Sequence, residues 1–486
     1  MTDNTSGLYA AFKAKDARFD GRFFVGISST GIYCRPVCRA RQPKAENCTF
    51  YPTAAEAEQA GYRPCLLCRP ELAPGASITD ATSNLVYRAT RMLEENCGSE
   101  QSLEEIAGKL GCTARHLRRV FTAAYNVPPV QYLQTCRLLL AKNLLTDTDL
   151  PVLEVAMASG FGSLRRFNDL FKKQYKLSPT ALRKHTAEDK KQNDNITLAL
   201  GYRPPYQWEA ILNFLAGRAI AGVEVVKNGE YMRTVHMENA EGRQVYGWVR
   251  VSHKPKKNAL SVTVSEALLP VLPQVLARIR HLFDLYCDPD AVYEILRGMN
   301  DIRPGLCILG TRVPGCFNAF EMAVRAVLGQ QITVKAASTL AARIVEAYGT
   351  PVQTGIEGLT HVFPSPEDIF ALDGAIENHF GVLGVIAARS NTIYELARAF
   401  VQKKIDFDLC AQPEEEMKKL MAIRGIGSWT AQYIAMRAME WPDAFLETDA
   451  GIKKALQPFT SKELLSMAEA WRPWRSYATV NLWNTR

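Results

Sequence analysis

Four cysteines near the start of the chain have the spacing of a metal site. Cys34 and Cys38 are separated by three residues, and Cys65 and Cys68 are separated by two. Two close pairs of thiolates joined by a loop are typical of tetrahedral zinc. Cys48 lies between the pairs without a near partner, so it is left out of the predicted ligand set. By itself this spacing also fits a closed zinc knuckle that has only a structural role.

Arginines next to the first cysteine pair favour a reactive site over a purely structural one. Arg35 and Arg39 lie in the segment STGIYCRPVCRAR. A guanidinium stabilises thiolate over thiol, and it can hold phosphate oxygens. The pattern therefore predicts a nucleophilic sulfur near a phosphate, with Arg35 and Arg39 in contact with nucleic acid.

The segments FVGISSTGIYCRPVCRARQP and GYRPCLLCRP resemble the N-terminal domain of the Ada adaptive-response proteins, over roughly residues 8–72. The resemblance implies that the four cysteines bind one zinc ion. It also implies that Cys34 accepts a methyl group from a methylated DNA phosphotriester. Methylation removes one negative charge from the zinc site, and less negative charge beside a phosphate backbone should tighten DNA binding.

Two later segments have the pattern of a helix, a short turn and a basic helix. They cover residues 102–125 and 152–175, with turns at Gly111 and Gly160. Ordinary helix pairs with solvated basic faces would give the same pattern in either segment alone. Two such units followed by KLSPTALRK resemble AraC-family DNA-binding domains. The residues expected to contact a DNA groove or phosphates are Arg115, Arg118, Arg165 and Arg166.

The second half of the chain contains a different DNA-binding pattern. Residues 420–431, LMAIRGIGSWTA, predict two helices joined by a Gly-x-Gly turn, a helix-hairpin-helix. A lone GIG is a weak signal, but YRPPYQW precedes it and FLETDAGIK and WRPWRSYATVNLW follow it. With these motifs, residues 196–486 resemble AlkA-type 3-methyladenine DNA glycosylases of the helix-hairpin-helix superfamily.

This second resemblance implies roles for individual residues. Asp449 is the catalytic carboxylate. The aromatic residues implied to line the base pocket are Phe214, Trp429, Tyr433 and Trp483. Gln331, Gly425 and Gly427 are implied to contact DNA. The hairpin residues implied to offer main-chain carbonyls to Na⁺ or K⁺ are Met421, Ile423 and Ile426.

The chemistry of alkylated purines agrees with these residue types. An alkylated purine is electron-poor and already a good leaving group. It needs to be flipped out of the duplex, stacked on aromatic faces, and have its sugar cation stabilised by a carboxylate. Bifunctional relatives carry a Schiff-base lysine after the hairpin, where this chain has Trp429. We therefore expect a monofunctional enzyme that leaves an abasic site.

Two positions depart from the resemblance. Gln331 replaces the apolar side chain that usually fills the gap left by a flipped base. Ala450 stands beside Asp449, where the pocket can carry an aromatic residue. Both departures bear on which bases the pocket accepts.

Length and composition set the frame for these motifs. A chain of 486 residues is too long to fold around one compact hydrophobic core. Its 47% of hydrophobic and 22% of charged residues indicate a globular protein. We predict a small α+β zinc domain at 1–75, an all-α double helix-turn-helix domain at 80–185, and a linker at 186–195. An α+β subdomain like the TATA-binding protein follows at 196–310, and an all-α helix-hairpin-helix domain follows at 311–486.

Charge and composition also exclude some function classes. Residues 1–190 hold 26 Lys+Arg and 19 Asp+Glu, a net charge of +7 out of +8 for the chain. This basic excess indicates that the region binds nucleic acid. No apolar run approaches the roughly 18 residues of a membrane span, and no secretory signal is visible in residues 1–15. Twelve cysteines without export indicate a reducing compartment.

The sequence therefore predicts an alkylation-damage protein that acts on double-stranded DNA. In the favoured reading it is a monofunctional glycosylase fused to a zinc-cysteine methyl acceptor and a transcription regulator. One alternative is a methylation-sensing activator whose glycosylase fold only grips DNA. Another is a glycosylase whose front half only tethers it to DNA. We expect a monomer in the bacterial cytoplasm, associated with the nucleoid and able to contact RNA polymerase.

Overall fold

A computed structural model describes five stretches of the chain. They are residues 2–79, 84–99, 101–186, 196–407 and 412–485. Residues 187–195, nearly all of the predicted linker, lie outside the described residues. Among the helices that are described, none is both long enough and apolar enough to span a bilayer.

The N-terminal region is a small four-stranded sheet flanked by helices. Its elements are α1 (Thr2–Ala14), β1 (Phe24–Ile27), β2 (Ile32–Cys34), β3 (Cys48–Tyr51), α2 (Ala54–Gln59) and β4 (Arg63–Pro64). The strand order is β3-β1-β2-β4. β1 pairs antiparallel with both of its neighbours, while β2 and β4 run parallel. The parallel pair brings the carboxyl ends of β2 and β4 to the same edge of the sheet.

The next region consists of seven helices. They are α3 (Asn84–Glu95), α4 (Leu103–Lys109), α5 (Ala114–Tyr125), α6 (Pro129–Asp147), α7 (Val152–Ala158), α8 (Leu164–Tyr175) and α9 (Pro179–Thr186). Ser102 and Glu105 form a capping box at the start of α4. Gly111 and Gly160 have φ of +70° and +79°, a conformation that favours glycine, so each ends the first helix of a pair. Both helix-turn-helix units are thus present.

An antiparallel sheet follows the helical region. Its elements are β5 (Ile196–Gly201), α10 (Trp208–Ala216), β6 (Glu224–Lys227), β7 (Glu230–Glu238), β8 (Gln244–Lys254), β9 (Ala259–Val264), α11 (Leu272–Leu282), α12 (Pro289–Leu296) and α13 (Met299–Ile302). The strand order is β5-β9-β8-β7-β6. β8 and β9 pair antiparallel along most of their length. The sheet with its helices confirms the expected α+β subdomain.

The remainder is mainly helical. Its elements are α14 (Ala319–Leu328), α15 (Val334–Tyr348), β10 (Thr350–Pro351), β11 (His361–Val362), α16 (Pro366–Phe370), α17 (Ile376–Gly381), α18 (Ala387–Val401), α19 (Pro413–Met421), α20 (Ser428–Ala438), α21 (Ala450–Ala455), α22 (Ser461–Ala468) and α23 (Arg475–Asn484). The predicted hairpin is formed by α19 and α20. The only departure from an all-α region among these residues is the two-residue pair β10–β11.

The residues on the two sides of the predicted linker pack in a common hydrophobic core. One continuous core contains Phe167 and Phe171 of the second helix-turn-helix unit together with Leu198 and Val262 of the antiparallel sheet. A second core lies around α14, α18 and α20, and a third lies beneath α21 and α23. The linker therefore separates two regions along the sequence that share one core in space.

Buried ion pairs also join the regions. The ammonium of Lys142 on α6 lies 2.6 Å from the carboxylate of Glu71, and both side chains are almost fully buried. Arg91 on α3 lies 2.9 Å from Glu440, which follows α20. Because an isolated buried charge is strongly unfavourable, each pair ties its two regions to one relative position.

Replacing Lys142 with Met should destabilise the N-terminal half by about 2 kcal/mol, because Glu71 would keep only Arg69 as a cationic partner. Burial works to raise the pKa of Glu71, but Lys142 and Arg69 outweigh it and lower that pKa. The pair's contribution is therefore present above the ordinary glutamate pKa and is lost as the pH falls through the lowered value. Urea unfolding at several pH values measures both effects.

Lys109, which is exposed on α4, provides the matched control. Lys109→Met should leave the unfolding midpoint nearly unchanged. Equal midpoints for Lys142→Met and Lys109→Met would contradict a stabilising role for the buried pair.

Candidate active site and metal centre

The four predicted zinc ligands converge at one edge of the N-terminal sheet. Cys34 ends β2, and Cys65 directly follows β4, its parallel neighbour, while Cys38 and Cys68 lie in the turns that follow. The four Sγ atoms lie within 4.8 Å of one another. Tetrahedral zinc with Zn–S bonds of about 2.3 Å separates its sulfurs by about 3.8 Å. The donor set therefore fits one zinc ion.

Arg35 makes structural contacts beside the zinc site. It is only 7% exposed, and its guanidinium contacts the carboxylate of Asp20, with Nε 2.9 Å from Oδ1. It also donates through Nη1 to the main-chain oxygen of Cys68 at 3.1 Å, and its main-chain N–H lies 3.3 Å from the Cys68 sulfur. These contacts hold the zinc-site turn, and contact of Arg35 with DNA stays a prediction.

The surroundings of Cys34 bear on its predicted role. Cys34 is 2% exposed, whereas Cys68 is half-buried. Arg39 is exposed, as expected of a residue that meets phosphate. Methyl transfer to Cys34 therefore requires neighbouring residues to move aside. The identity of the acceptor stays a prediction that rests on the resemblance.

The basic residues of the two helix-turn-helix units face solvent. The four that are predicted to contact DNA are all exposed on α5 and α8, namely Arg115, Arg118, Arg165 and Arg166. In the part of the chain that the structure describes, none of the four forms an ion pair. Their guanidinium groups are therefore available to phosphates or base edges.

Asp449 lies at the start of α21 as its N-cap. Its Oδ1 accepts hydrogen bonds from the main-chain N–H groups of Gly451 and Ile452, at 2.8 and 3.1 Å. Two indoles also donate to it, Trp483 Nε1 to Oδ1 at 3.0 Å and Trp429 Nε1 to Oδ2 at 3.2 Å. Oδ1 thus has three donors and Oδ2 has one.

The four predicted pocket aromatics are brought together around this carboxylate. Trp429 and Tyr433 lie one helical turn apart on α20 and are stacked, with ring centroids 5.3 Å apart and an interplanar angle of 6°. Phe214 stacks on Trp483 at 6.0 Å. Tyr433 and Trp483 lie 6.2 Å apart at a tilted angle, which joins the two pairs. A flat ring system entering here meets aromatic faces next to a carboxylate.

These side chains line an open cleft of about 1530 Å³. Gln331 and Gly425, both predicted DNA contacts, also lie on it. Gln331 is exposed, with φ of +55°, in the loop between α14 and α15. Gln330 donates to the Gly425 carbonyl at 2.8 Å, so the loop is fastened to the hairpin turn.

The hairpin turn has the expected conformation. Gly425 has φ of +95°, and a Cβ there would lie 2.2 Å from the hydroxyl of Thr392. Gly427 is exposed directly before α20. The Ile423 carbonyl accepts from Ile426 N at 3.1 Å within the turn. Binding of a cation by the carbonyls of Met421, Ile423 and Ile426 stays a prediction.

Sequence reasoning missed two arginines at this cleft. Arg218 Cζ lies 3.6 Å from the Phe214 ring centroid, and Arg437 donates to the Tyr433 hydroxyl at 2.8 Å. Burial works to raise the pKa of Tyr433, but these guanidiniums and that of Arg325 outweigh it and lower the pKa below its usual range. Each of the two follows its aromatic partner by four residues, a helical spacing that could have indicated the contacts.

Known sequence families match four successive stretches of the chain. The metal binding domain of Ada matches residues 7–71, and a helix-turn-helix domain matches 106–185. The AlkA N-terminal domain matches 197–318, and the HhH-GPD superfamily of base excision DNA repair proteins matches 324–470.

Curated and solved relatives agree with these matches. DNA-3-methyladenine glycosylase 2 of Escherichia coli is 36% identical over 286 residues, which cover 59% of this chain and 96% of that protein. A solved 3-methyladenine DNA glycosylase from Archaeoglobus fulgidus covers 59% of this chain and 97% of its own, with a TM-score of 0.50. At 20% identity that likeness shows the fold alone.

One relative matches from end to end. The probable bifunctional transcriptional activator/DNA repair enzyme AlkA of Mycobacterium tuberculosis is 37% identical over 494 aligned positions, which cover 100% of this chain and 97% of that protein. The similarity therefore spans the whole of this chain, and the chain belongs to the AlkA family of bifunctional transcriptional activator/DNA repair enzymes.

Proposed function

We propose that the chain excises alkylated purines such as 3-methyladenine from duplex DNA, accepts methyl groups from DNA phosphotriesters at its zinc site, and regulates transcription. The observation that carries the glycosylase activity is the position of Asp449. Two indoles and two main-chain N–H groups hold its carboxylate at the edge of an aromatic cleft. A fold that only grips DNA would have no use for a carboxylate placed so.

The hydrogen bonds to Asp449 differ between its two oxygens. Oδ1 accepts three and is used to orient the group, while Oδ2 accepts one, from Trp429. We assign Oδ2 as the oxygen that faces the sugar of the flipped nucleotide. A carboxylate held in this way stabilises positive charge on the sugar without having to reorganise during the reaction.

The reaction separates a base from its sugar. The bond from C1′ to the purine nitrogen breaks, and its electron pair goes to the base. A purine alkylated on N3 carries a positive charge and leaves as a neutral molecule, so it needs no general acid. Asp449 stabilises the sugar cation until water adds at C1′, which leaves an abasic site. The stacked Trp429 and Tyr433 hold the flipped base.

The enzyme is monofunctional. In the part of the chain that the structure describes, no lysine is among the residues that line the cleft. Trp429 occupies the position of the Schiff-base lysine and is hydrogen-bonded to Asp449. Strand cleavage through a covalent imine needs an amine, and the described lining of the cleft contains no lysine to supply one.

Methyl transfer occurs at the other end of the chain. The Cys34 sulfur attacks the methyl carbon of a phosphotriester; the S–C bond forms, the C–O bond breaks, and its electron pair returns to the phosphate oxygen. Zinc held by the four sulfurs keeps them ionised at neutral pH. Each transfer consumes the acceptor, so the domain acts once and thereafter serves as a sensor. The loss of one negative charge strengthens binding to DNA.

Further assignments accompany this proposal. The exposed arginines of α5 and α8 bind promoter DNA. When bound at the promoter, the protein contacts RNA polymerase. The protein acts as a monomer on the nucleoid in the bacterial cytoplasm. The hairpin holds Na⁺ or K⁺ through the carbonyls of Met421, Ile423 and Ile426. The working units are 1–75, 80–185, 196–310 and 311–486, with a linker at 186–195.

Replacing Asp449 with Asn keeps the shape of the side chain but removes its charge. Release of 3-methyladenine from methylated duplex DNA should fall by at least about 100-fold, the scale of losing one charge-stabilising group. Binding of the damaged duplex should persist, because the aromatic walls remain. Single-turnover base release and a gel-shift assay measure the two quantities.

Asp301, which is exposed and outside the cleft, gives the matched control. Asp301→Asn should release base at the wild-type rate. Near wild-type release by Asp449→Asn would show that the carboxylate has been assigned wrongly.

Freshly purified protein should contain one zinc per chain, and Cys38→Ser should lose it along with the fold of the N-terminal region, since structural zinc contributes folding free energy. Cys48→Ser should retain the zinc, because Cys48 lies outside the cluster. Atomic absorption and circular dichroism after chelation report the two effects. Zinc-free protein with an intact N-terminal region would disprove the site.

Methylated DNA should transfer one methyl group to Cys34, and the labelled protein should bind its promoter more tightly. Peptide mass spectrometry locates the label. Because Cys68 is the more exposed ligand, a label on Cys68 is the alternative outcome that would overturn the assignment.

A further inference from the structure

One helix, α6, connects the two helix-turn-helix units. It runs for 19 residues and packs against α5 of the first unit and against α7 of the second. The second unit begins soon after the last turn of α6. A movement of that turn therefore shifts the second basic helix, α8, relative to the first, α5.

Arg69, which directly follows the last predicted zinc ligand, holds this turn. Its Nη1 donates to Oδ1 of Asp147 at 2.6 Å, and its Nη2 donates to Oδ2 of the same carboxylate at 2.9 Å. Nη2 also lies 2.8 Å from the side-chain oxygens of Asn143 and Thr146. Nε donates to Glu71 at 2.9 Å. All three guanidinium nitrogens thus have acceptors, and three of the four acceptor residues belong to the end of α6.

Two local features show that this contact depends on the tertiary structure. Arg69 has φ of +55°, a left-handed conformation that is unfavourable for a residue with a side chain. Asp147 is the last residue of α6, where the helix dipole disfavours a negative charge. The guanidinium compensates for that charge directly. Because a bidentate arginine–carboxylate pair fixes direction as well as distance, it holds the helix end in one orientation.

A second contact holds α6 nearer its start. Tyr33, the residue before Cys34, donates to Oε1 of Glu58 at 3.1 Å, and Thr135 on α6 donates to Oε2 of that carboxyl at 2.9 Å. Helix α2, which carries Glu58, packs along α6. Residues 135 and 147 lie about three turns, or about 18 Å, apart on a helix. The neighbours of the first and last zinc ligands therefore hold α6 at two separate points.

We propose that Arg69 is a positioning residue for promoter recognition, which fixes the end of α6 to the zinc-binding loop and so sets the spacing between α5 and α8. This role rests on the proposed transcription regulator and extends it. Zinc held by the four sulfurs would join the loop after β4 to β2, which keeps the two points of contact with α6 at one separation. Two recognition helices at a fixed separation bind two stretches of major groove that are correctly spaced.

The test varies the spacing in the DNA together with the protein. Wild type enriches a tight-binding duplex from a pool of random sequences, and one base pair is then inserted between the two halves of its footprint. Fluorescence anisotropy with zinc-loaded full-length protein gives the dissociation constants. For wild type, the insertion should weaken binding by at least about tenfold, the scale of losing one base contact.

Arg69→Met should bind the original duplex about tenfold more weakly, because α8 then has to be ordered on binding. The insertion should cost this variant at most about threefold, since a second unit that is free to shift recovers the displaced contacts. Arg69→Lys keeps the charge but loses the planar fork, and it should show an intermediate dependence on spacing.

Asp147→Asn tests the same contact from the helix and leaves the zinc-binding loop unaltered. It should also reduce the dependence on spacing, and its combination with Arg69→Met should add little, because both changes remove one interaction. Arg18, which is exposed and ion-paired with Asp16, provides the matched control. Arg18→Met should keep the wild-type dependence on spacing.

Zinc content is measured for each variant, and if Arg69→Met loses its zinc, Asp147→Asn decides the question. A wild-type dependence on spacing in Asp147→Asn would overturn the proposal. A wild-type dependence in Arg69→Met, with the salt dependence of binding lowered by about one charge, would instead make Arg69 a phosphate contact. Failure of the proposed regulator is distinguishable, because wild type would then enrich no sequence at all.

Discussion

Opposite charges buried together hold this chain in one arrangement. Burying Glu71 is tolerable because two cations approach it, Arg69 from nearby in sequence and Lys142, at 2.6 Å, from a helix some seventy residues away. Arg91 meets Glu440 from the opposite end of the chain in the same way. Removing either partner of a pair would leave the other charge with less compensation, so each pair fastens two regions of the chain to each other.

The shared hydrophobic core strengthens this arrangement. Phe167 and Phe171 lie on the buried face of the second basic helix, α8, and they pack in the same core as Leu198 and Val262 of the antiparallel sheet. The exposed basic surface of that helix is thus continuous, through packed side chains, with the fold that carries the aromatic cleft. The helix-turn-helix region and the glycosylase fold are therefore joined by packing as well as by the polypeptide chain.

The aromatic cleft is organised around the carboxylate of Asp449. Asp449 needs donors to stay oriented, and those donors include the indoles of Trp429 and Trp483, whose faces also form the walls. Each tryptophan therefore serves two purposes, and replacing one would disturb charge and stacking together. Arg218 places a positive charge over the face of Phe214, so the aromatic cleft also carries a cationic side chain.

The sequence alone determined the motifs and the elements that carry them. The cysteine spacing, the capping box at Ser102 and the glycine turns depend on neighbours only a few residues away, and such local patterns are readable without a structure. The surroundings of Arg35 were decided by tertiary structure. Arg35 belongs to a basic motif that is typical of phosphate binding, but the fold places Asp20 beside Arg35 and buries the arginine. Contacts between distant segments depend on packing, which a one-dimensional pattern does not contain.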